Sequence, residues 1–117
     1  METAQQTGRR GEQVAAEHLV RAGHVVLDRN WRCPIGEVDL VTRDGDVLVF
    51  VEVKTRTGLG FGHPAEAVGP VKMARLRRLA GAWLDVHEVR PREIRIDVVS
   101  VLLVGRRPII EHLEGVS

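Results

Sequence analysis

Five consecutive apolar residues, Val47-Leu48-Val49-Phe50-Val51, run directly into Glu52-Val53-Lys54. A half-exposed strand alternates apolar and polar side chains, so an unbroken run of this kind suits a strand covered on both faces. Such a strand lies at the centre of a sheet and needs a layer of structure on each side. Directly upstream, Asp44-Gly45 is a hairpin-turn signal. It joins a strand over Glu37 to Thr42 to a strand over Asp46 to Thr55. Glu52 and Lys54 therefore stand at the margin of the driest part of the fold, where an unpartnered charge is costly.

The flanking segments supply the covering layers. Thr7 to Ala22 reads as a helix, with Ala15, Leu19 and Ala22 at helical spacing and Ala16 and Val20 widening the stripe. Gly23 is a helix stop. Glu12 precedes Ala15 by three residues, so it lies on or beside the buried stripe. It reads equally as a carboxylate needing a partner or as an acid favoured by the helix N-terminus. His24 to Asp28 reads as a short strand and Arg29 to Gly36 as a loop holding Cys33, Pro34 and Gly36. Thr57 to Gly69 is a glycine-rich loop, and its Gly58 to Gly62 stretch is the expected mobile, substrate-contacting part. A second helix starts at Pro70 and runs to about His87, burying Met73, Leu76, Ala80 and Trp83. Ile94 to Leu103 is a long strand, and Pro108 to His112 a short edge strand. The order predicts an α/β fold of one domain over residues 1–117, an α-β-β-β-α-β core whose mixed central sheet is flanked by helices.

Composition narrows the function classes. With 44% hydrophobic and 28% charged residues in a chain of 117, one core is what the chain can build. No apolar stretch is long enough to span a bilayer, and the polar start lacks the apolar core of a signal peptide, so the expectation is a cytoplasmic protein without a membrane partner. The single cysteine, Cys33, excludes an internal disulfide and a cysteine zinc cage. None of the histidines His18, His24, His63, His87 and His112 stands at zinc-ligand spacing from another. Net charge is only +1, but it is unevenly distributed. Gly36 to Glu52 carries five acids against Arg43, a net −4, while Lys54 to Arg95 carries nine Lys and Arg against four acids, a net +5. An acidic island followed by a basic segment suits a metal site beside a phosphate-binding surface, although solvated faces produce such asymmetry too.

Strand alternation puts Glu37, Asp39 and Val41 on one face, and Phe50, Glu52 and Lys54 on one face. If the hairpin aligns those faces, Asp39 meets Glu52 and Lys54 at the end away from the turn. Two close carboxylates repel, which raises the pKa of one unless a cation sits between them. Magnesium resolves the conflict, because it accepts few protein oxygens and keeps its waters. A nearby lysine would then orient or deprotonate a metal-bound water and neutralise charge in a phosphoryl transition state. A solvated salt pair at a strand end gives the same spacing, and spacing alone does not separate the two.

The wider sequence does. Gly36-Glu37-Val38-Asp39-Leu40 followed by Val49-Phe50-Val51-Glu52-Val53-Lys54-Thr55-Arg56 closely resembles the PD-(D/E)xK nuclease superfamily. More narrowly, it resembles the bacterial YraN-like family of predicted endonucleases, which is related to archaeal Holliday-junction resolvases. The likeness continues through Gly11-Glu12, Asn30-Trp31-Arg32, Phe61-Gly62-His63-Pro64, Glu66-Ala67-Val68, Lys72, Arg75-Leu76, Trp83-Leu84 and Arg95-Ile96-Asp97-Val98-Val99. One departure is Val38, which stands where isoleucine is expected and keeps its branched character.

The resemblance implies a restriction-endonuclease-like fold and a magnesium-dependent endonuclease, with manganese as substitute. Its substrate would be DNA rather than RNA, branched or otherwise structured. The alternative is a nucleic-acid-binding or assembly module that keeps the fold and does little chemistry. By position, the resemblance makes Asp39 and Glu52 metal ligands together with the Val53 carbonyl, and Lys54 the catalytic lysine. Glu12 matches the first-helix acid that supports the site through metal-bound water or the lysine. Glu37 is either a supporting acid or an exposed strand residue. Arg56, Lys72 and Arg75 are the candidates for gripping phosphates, with a solvated helix face the other reading of Lys72 and Arg75. His63 is a lesser candidate for substrate contact. Aromatics at 3% with no tyrosine leave no base-stacking platform, which favours readout of phosphates and shape. Junction-cutting relatives act as symmetric dimers, so a homodimer is implied as well.

Overall fold

A computed structural model describes residues 1–58 and 69–116. Helix α1 (Ala4–Arg21) leads into strands β1 (Val25–Cys33), β2 (Gly36–Asp44) and β3 (Val47–Arg56). Helix α2 (Pro70–His87) then precedes β4 (Glu93–Leu102) and β5 (Ile109–Leu113). The five strands form one sheet in the order β1-β2-β3-β4-β5. β3 and β4 run parallel and the other neighbours antiparallel. A parallel pair needs a crossover connection, and the α2 segment supplies it. The expected α-β-β-β-α-β core with a mixed sheet is thus present, with β5 added at the edge.

The apolar run occupies the position its pattern demands. β3 is the middle strand, and Val49, Phe50 and Val51 are wholly buried. Its odd residues Val49, Val51 and Val53 pack with Ala15, Ala16 and Leu19 of α1. Its even residues Leu48 and Phe50 pack with Met73, Leu76, Leu79, Ala80 and Trp83 of α2. Glu52 and Lys54 continue the even set, so both belong to the α2 face. Among the described residues, no helix is long and apolar enough to cross a membrane.

Several boundaries differ from the sequence expectation. α1 begins three residues earlier than Thr7, because Thr3 and Gln6 form a capping box, side chain to backbone at 3.1 and 2.9 Å. Val20 is 54% exposed and Ala22 is exposed too, so the buried stripe of α1 is Gly11, Ala15, Ala16 and Leu19. The short strand at His24–Asp28 is in fact the nine-residue β1, and the expected loop shrinks to a turn at Pro34-Ile35. β1 is an edge strand whose exposed residues mix Val25 and Leu27 with Arg29 and Arg32, and its register is irregular, including Asn30 in the left-handed region at φ 49°. Both features erase the apolar alternation that marks a strand. Cys33 ends β1, half-buried against the α2-side core. The glycine-rich loop, including His63 and Glu66, lies almost wholly outside the described residues.

β2 also breaks strict alternation. Val38 and Val41 both join the α2-side core, while Leu40 joins the α1 side. Glu37 and Asp39 line the cleft on the α2 side, where Val41 is also buried, so Val38 is the residue that departs from alternation. Pairing with β3 ends at Leu40↔Val51, while pairing with β1 continues to Cys33↔Gly36.

On the other face of the sheet, Asp97 of β4, in register with Val51, is fully buried. It accepts hydrogen bonds from Arg95 at 2.8 and 3.0 Å and from the Gly115 amide at 3.0 Å, with His112 Nε2 at 2.8 Å. Burial alone would raise its pKa, but the His112 and Arg95 contacts outweigh it and hold the carboxyl below the ordinary value. This network ties the segment after β5 back onto the sheet.

Candidate active site

The β2–β3 ladder runs from Asp44↔Val47 to Leu40↔Val51 and stops. Beyond that point Val53 has no β2 backbone partner in register, and its N–H donates instead to Asp39 Oδ2 at 2.8 Å. In a strand, the N–H and C=O of one residue face the same neighbour, so the Val53 carbonyl faces the same gap. The parting of the two strands thus turns the Val53 backbone toward the Asp39 carboxylate. Glu52 adjoins Asp39, and the two share a side-chain hydrogen bond. Burial first, and then the Glu52 charge, push the Asp39 carboxyl up from 3.8 to about 7, with Glu12 adding to the rise. Hydrogen bonding from Val53 works against this without cancelling it.

Cations approach from the α2 face. Lys72 Nζ lies 3.2 Å from Glu52 Oε1, with the Glu52 side chain 13% exposed. Lys54 and Lys72 share a hydrogen bond. That bond, together with burial and the Lys72 charge, lowers the Lys54 pKa, against the pull of Glu52 and Asp39. Lys72 is also desolvated, but the bond its ammonium donates to the Lys54 amine and the Glu52 carboxylate leave its pKa raised. A cleft of about 260 Å³ opens here between Gly36, Glu37, Asp39 and Glu52 on the strands and Lys72 and Arg75 on the helix.

A second group of acids meets Asp39 from the α1 side. Carboxylate oxygens of Glu12, Glu37 and Asp39 lie within 4.8 Å of one another. Asn30 Nδ2 donates to Glu12 Oε1 at 2.9 Å and to Glu37 Oε1 at 3.2 Å, and Arg32 pairs with Glu37 at 3.0 Å. Glu37 is accordingly an acid held in the group by two partners. Asn30, which sequence reasoning left in a loop, is its bridge, and its left-handed backbone is one that asparagine tolerates well. Gly11 was also missed as a positioning element. A Cβ there would stand 2.6 Å from Thr55 Cγ2 and 2.8 Å from Thr55 Cβ. Only glycine lets α1 lie this close to β3, and the adjacent Glu12 is thereby carried to the site.

Comparison with known proteins bears on the same residues. A family model described as "Uncharacterised protein family UPF0102" matches residues 11–101. The chain belongs to the UPF0102 family. A UPF0102 protein of Beutenbergia cavernae is 58% identical over 111 residues, covering 94% of each chain. One from Streptomyces griseus is 58% identical over 112 residues, again covering 94% of each. A Nocardioides relative is 52% identical over 114 residues, covering 97% of this chain and 92% of its own. The span matched by the UPF0102 model runs from Gly11 to Val101, and so contains every acid and lysine of the site.

The donor set suits a hard divalent cation. Asp39, Glu52 and the Val53 carbonyl offer oxygens only, with Glu12 and Glu37 alongside, which is the ligand chemistry magnesium and manganese accept. The raised Asp39 pKa reflects burial first and then the neighbouring acids, and a cation beside the carboxylate would oppose both. Of the three phosphate-gripping candidates, Lys72 and Arg75 line the cleft, and Lys72 is engaged with Glu52. Arg56 is half-buried at the end of β3, two residues beyond Lys54.

Proposed function

We propose that the protein is a magnesium- or manganese-dependent endonuclease that hydrolyses phosphodiester bonds in DNA, branched or otherwise structured. The observation that carries this reading is the Asp39 carboxyl, driven up to about 7 beside Glu52 where the Val53 backbone leaves the ladder, with Lys54 in the same cluster. A stable fold gains nothing from crowding acids at a strand end. A site that captures a divalent cation does.

In this reading Asp39, Glu52 and the Val53 carbonyl hold the cation, and Glu12 with Glu37 complete the negative field around it. The cation, when bound, polarises a phosphate oxygen and lowers the pKa of a water. Lys54 Nζ positions that water and offsets charge on the phosphoryl oxygens. The water would give up a proton to solvent as its oxygen bonds to phosphorus, the bond from phosphorus to the leaving strand would break, and the departing oxygen would take up a proton from solvent. Arg56 and Arg75 hold neighbouring phosphates. Both tryptophans pack in or against the core, Trp83 buried and Trp31 half-buried, which leaves recognition to backbone and shape rather than to stacked bases. Cleavage of paired strands at matched positions calls for two such sites, hence a homodimer acting in the cytoplasm.

The test is cleavage of linear, flap and four-way-junction DNAs with magnesium or manganese by wild type, Asp39→Ala and Lys54→Ala. Wild type should cut at least one of them, and each variant should lose at least about a hundredfold, the range typical for loss of one electrostatic group of a site. Cutting that survives both substitutions removes the assignment. Salt-sensitive binding without product at any metal concentration would make the protein a binding or assembly module instead.

A further inference from the structure

Lys72 stands where helix physics does not favour it. It occupies the first turn of α2, a turn without acids whose Gly69 cap makes no side-chain bond. A cation there faces the positive end of the helix dipole. A residue that breaks a local preference is held by something tertiary, and for Lys72 that is Glu52 at 3.2 Å. The side chain is one-third exposed, while the carboxylate it meets is 13% exposed. Lys54 adjoins it as a second amine. Arg75, one turn further on, lines the same cleft but is exposed and free to turn outwards.

We propose that Lys72 is a positioning residue of the site, fixing the Glu52 carboxylate through an ion pair and tempering by its charge how tightly the acids hold a divalent cation. This rests on the metal-dependent reading above and assigns Lys72 a role different from gripping substrate phosphates. One positive charge beside a ligand oxygen opposes a doubly charged ion. Removing it strengthens cation binding by about tenfold even at a largely solvated site. The acids then hold the ion more tightly, but Glu52 loses the partner that orients it.

The experiment is calorimetric titration of manganese into wild type, Lys72→Gln, Lys72→Arg and Asp39→Asn, paired with DNA-binding anisotropy in calcium across a salt series. Lys72→Gln should bind manganese about tenfold tighter, and Lys72→Arg should stay within about threefold of wild type, because the charge is what matters. The salt slope of DNA binding should not fall in Lys72→Gln, since the lysine is engaged with Glu52 rather than with a phosphate. Manganese affinity unchanged or weakened in Lys72→Gln, or raised equally in Lys72→Arg, overturns the proposal. A salt slope reduced by about 0.9 with manganese binding unaltered assigns Lys72 to a phosphate instead. Asp39→Asn binding manganese like wild type sinks the metal reading itself, and the role of Lys72 with it.

Discussion

Asp39 makes the acid site measurable through stability, without any substrate. Its carboxyl ionises near 7 in the folded chain against an ordinary 3.8, because burial and Glu52 disfavour its charge. Between those values the folded form carries one proton more than the unfolded chain. Stability therefore falls as pH rises through that window, with none of the cost present below about 3.8 and all of it present above about 7. At about 1.4 kcal/mol per tenfold change in proton affinity, the full gap corresponds to about 4 kcal/mol, and water reaching the half-buried group reduces this to about 2–4 kcal/mol. Asp39→Asn stays neutral at every pH, and its amide oxygen can still accept from Val53. Urea denaturation of wild type and Asp39→Asn in chelator from pH 5 to 8.5 isolates this group from the other titrating residues. Wild type should lose about 1–3 kcal/mol relative to the variant over that range, which covers the part of the window from pH 5 to about 7, and saturating magnesium should restore the loss in wild type alone. Parallel stability profiles for the two proteins would refute both the elevated Asp39 pKa and the crowding argument built on it.

Two further perturbations test how the site is held. Gly11→Ala places a methyl group inside the Thr55 side chain, which should cost about 1–3 kcal/mol by overpacking. Thr55→Ala in the same chain should return part of that loss in a double-mutant cycle, and purely additive effects would show that the two residues do not touch. Asp97→Asn removes the acceptor at the centre of the Arg95, His112 and Gly115 contacts and should cost about 3–5 kcal/mol in chemical denaturation at pH 7. Because the folded Asp97 pKa is lowered, its contribution is present above the ordinary value of 3.8 and disappears as pH falls through the folded one. The variant should therefore lack part of the acid unfolding step of wild type.

What the sequence made legible was whatever depends on local pattern. The apolar run of β3 announces a central strand, and Pro70 with the Met73, Leu76, Ala80 and Trp83 stripe sets α2 from Pro70 to His87. The hairpin turn brings Asp39 beside Glu52. What stayed hidden depends on contacts between distant segments. Asn30 is a polar residue in an irregular edge strand, and nothing local says that its amide spans Glu12 and Glu37, which are 18 and 7 positions away. Gly11 lies mid-helix, where glycine normally only weakens the helix. Its reason is Thr55, 44 positions on. The same holds for Lys72, whose helical flank suggests a solvated or phosphate-facing charge until the packing of α2 on the sheet sets it against Glu52.

Asp39 and Asp97 show how one sheet makes opposite uses of a buried carboxylate. Asp97 is surrounded by donors: a guanidinium, an imidazole and an amide converge on it, and its pKa is pulled down despite complete burial. Such a group is satisfied, and its energy goes into holding the segment after β5 in place. Asp39 has one backbone donor, and its nearest charged neighbours include two more acids, Glu52 and Glu12. Its pKa goes up because burial disfavours its charge and the fold adds repulsion where it could have supplied an arginine. A carboxylate that a protein only needs to bury is given enough donors, as Asp97 is. One left short of donors and crowded with like charge lacks a positive partner that the described chain does not provide in full, since Lys72 and Lys54 approach from one side only. The cation of the proposed reading would meet that deficit, and the carboxylate oxygens gathered there suit a hard cation better than a soft one.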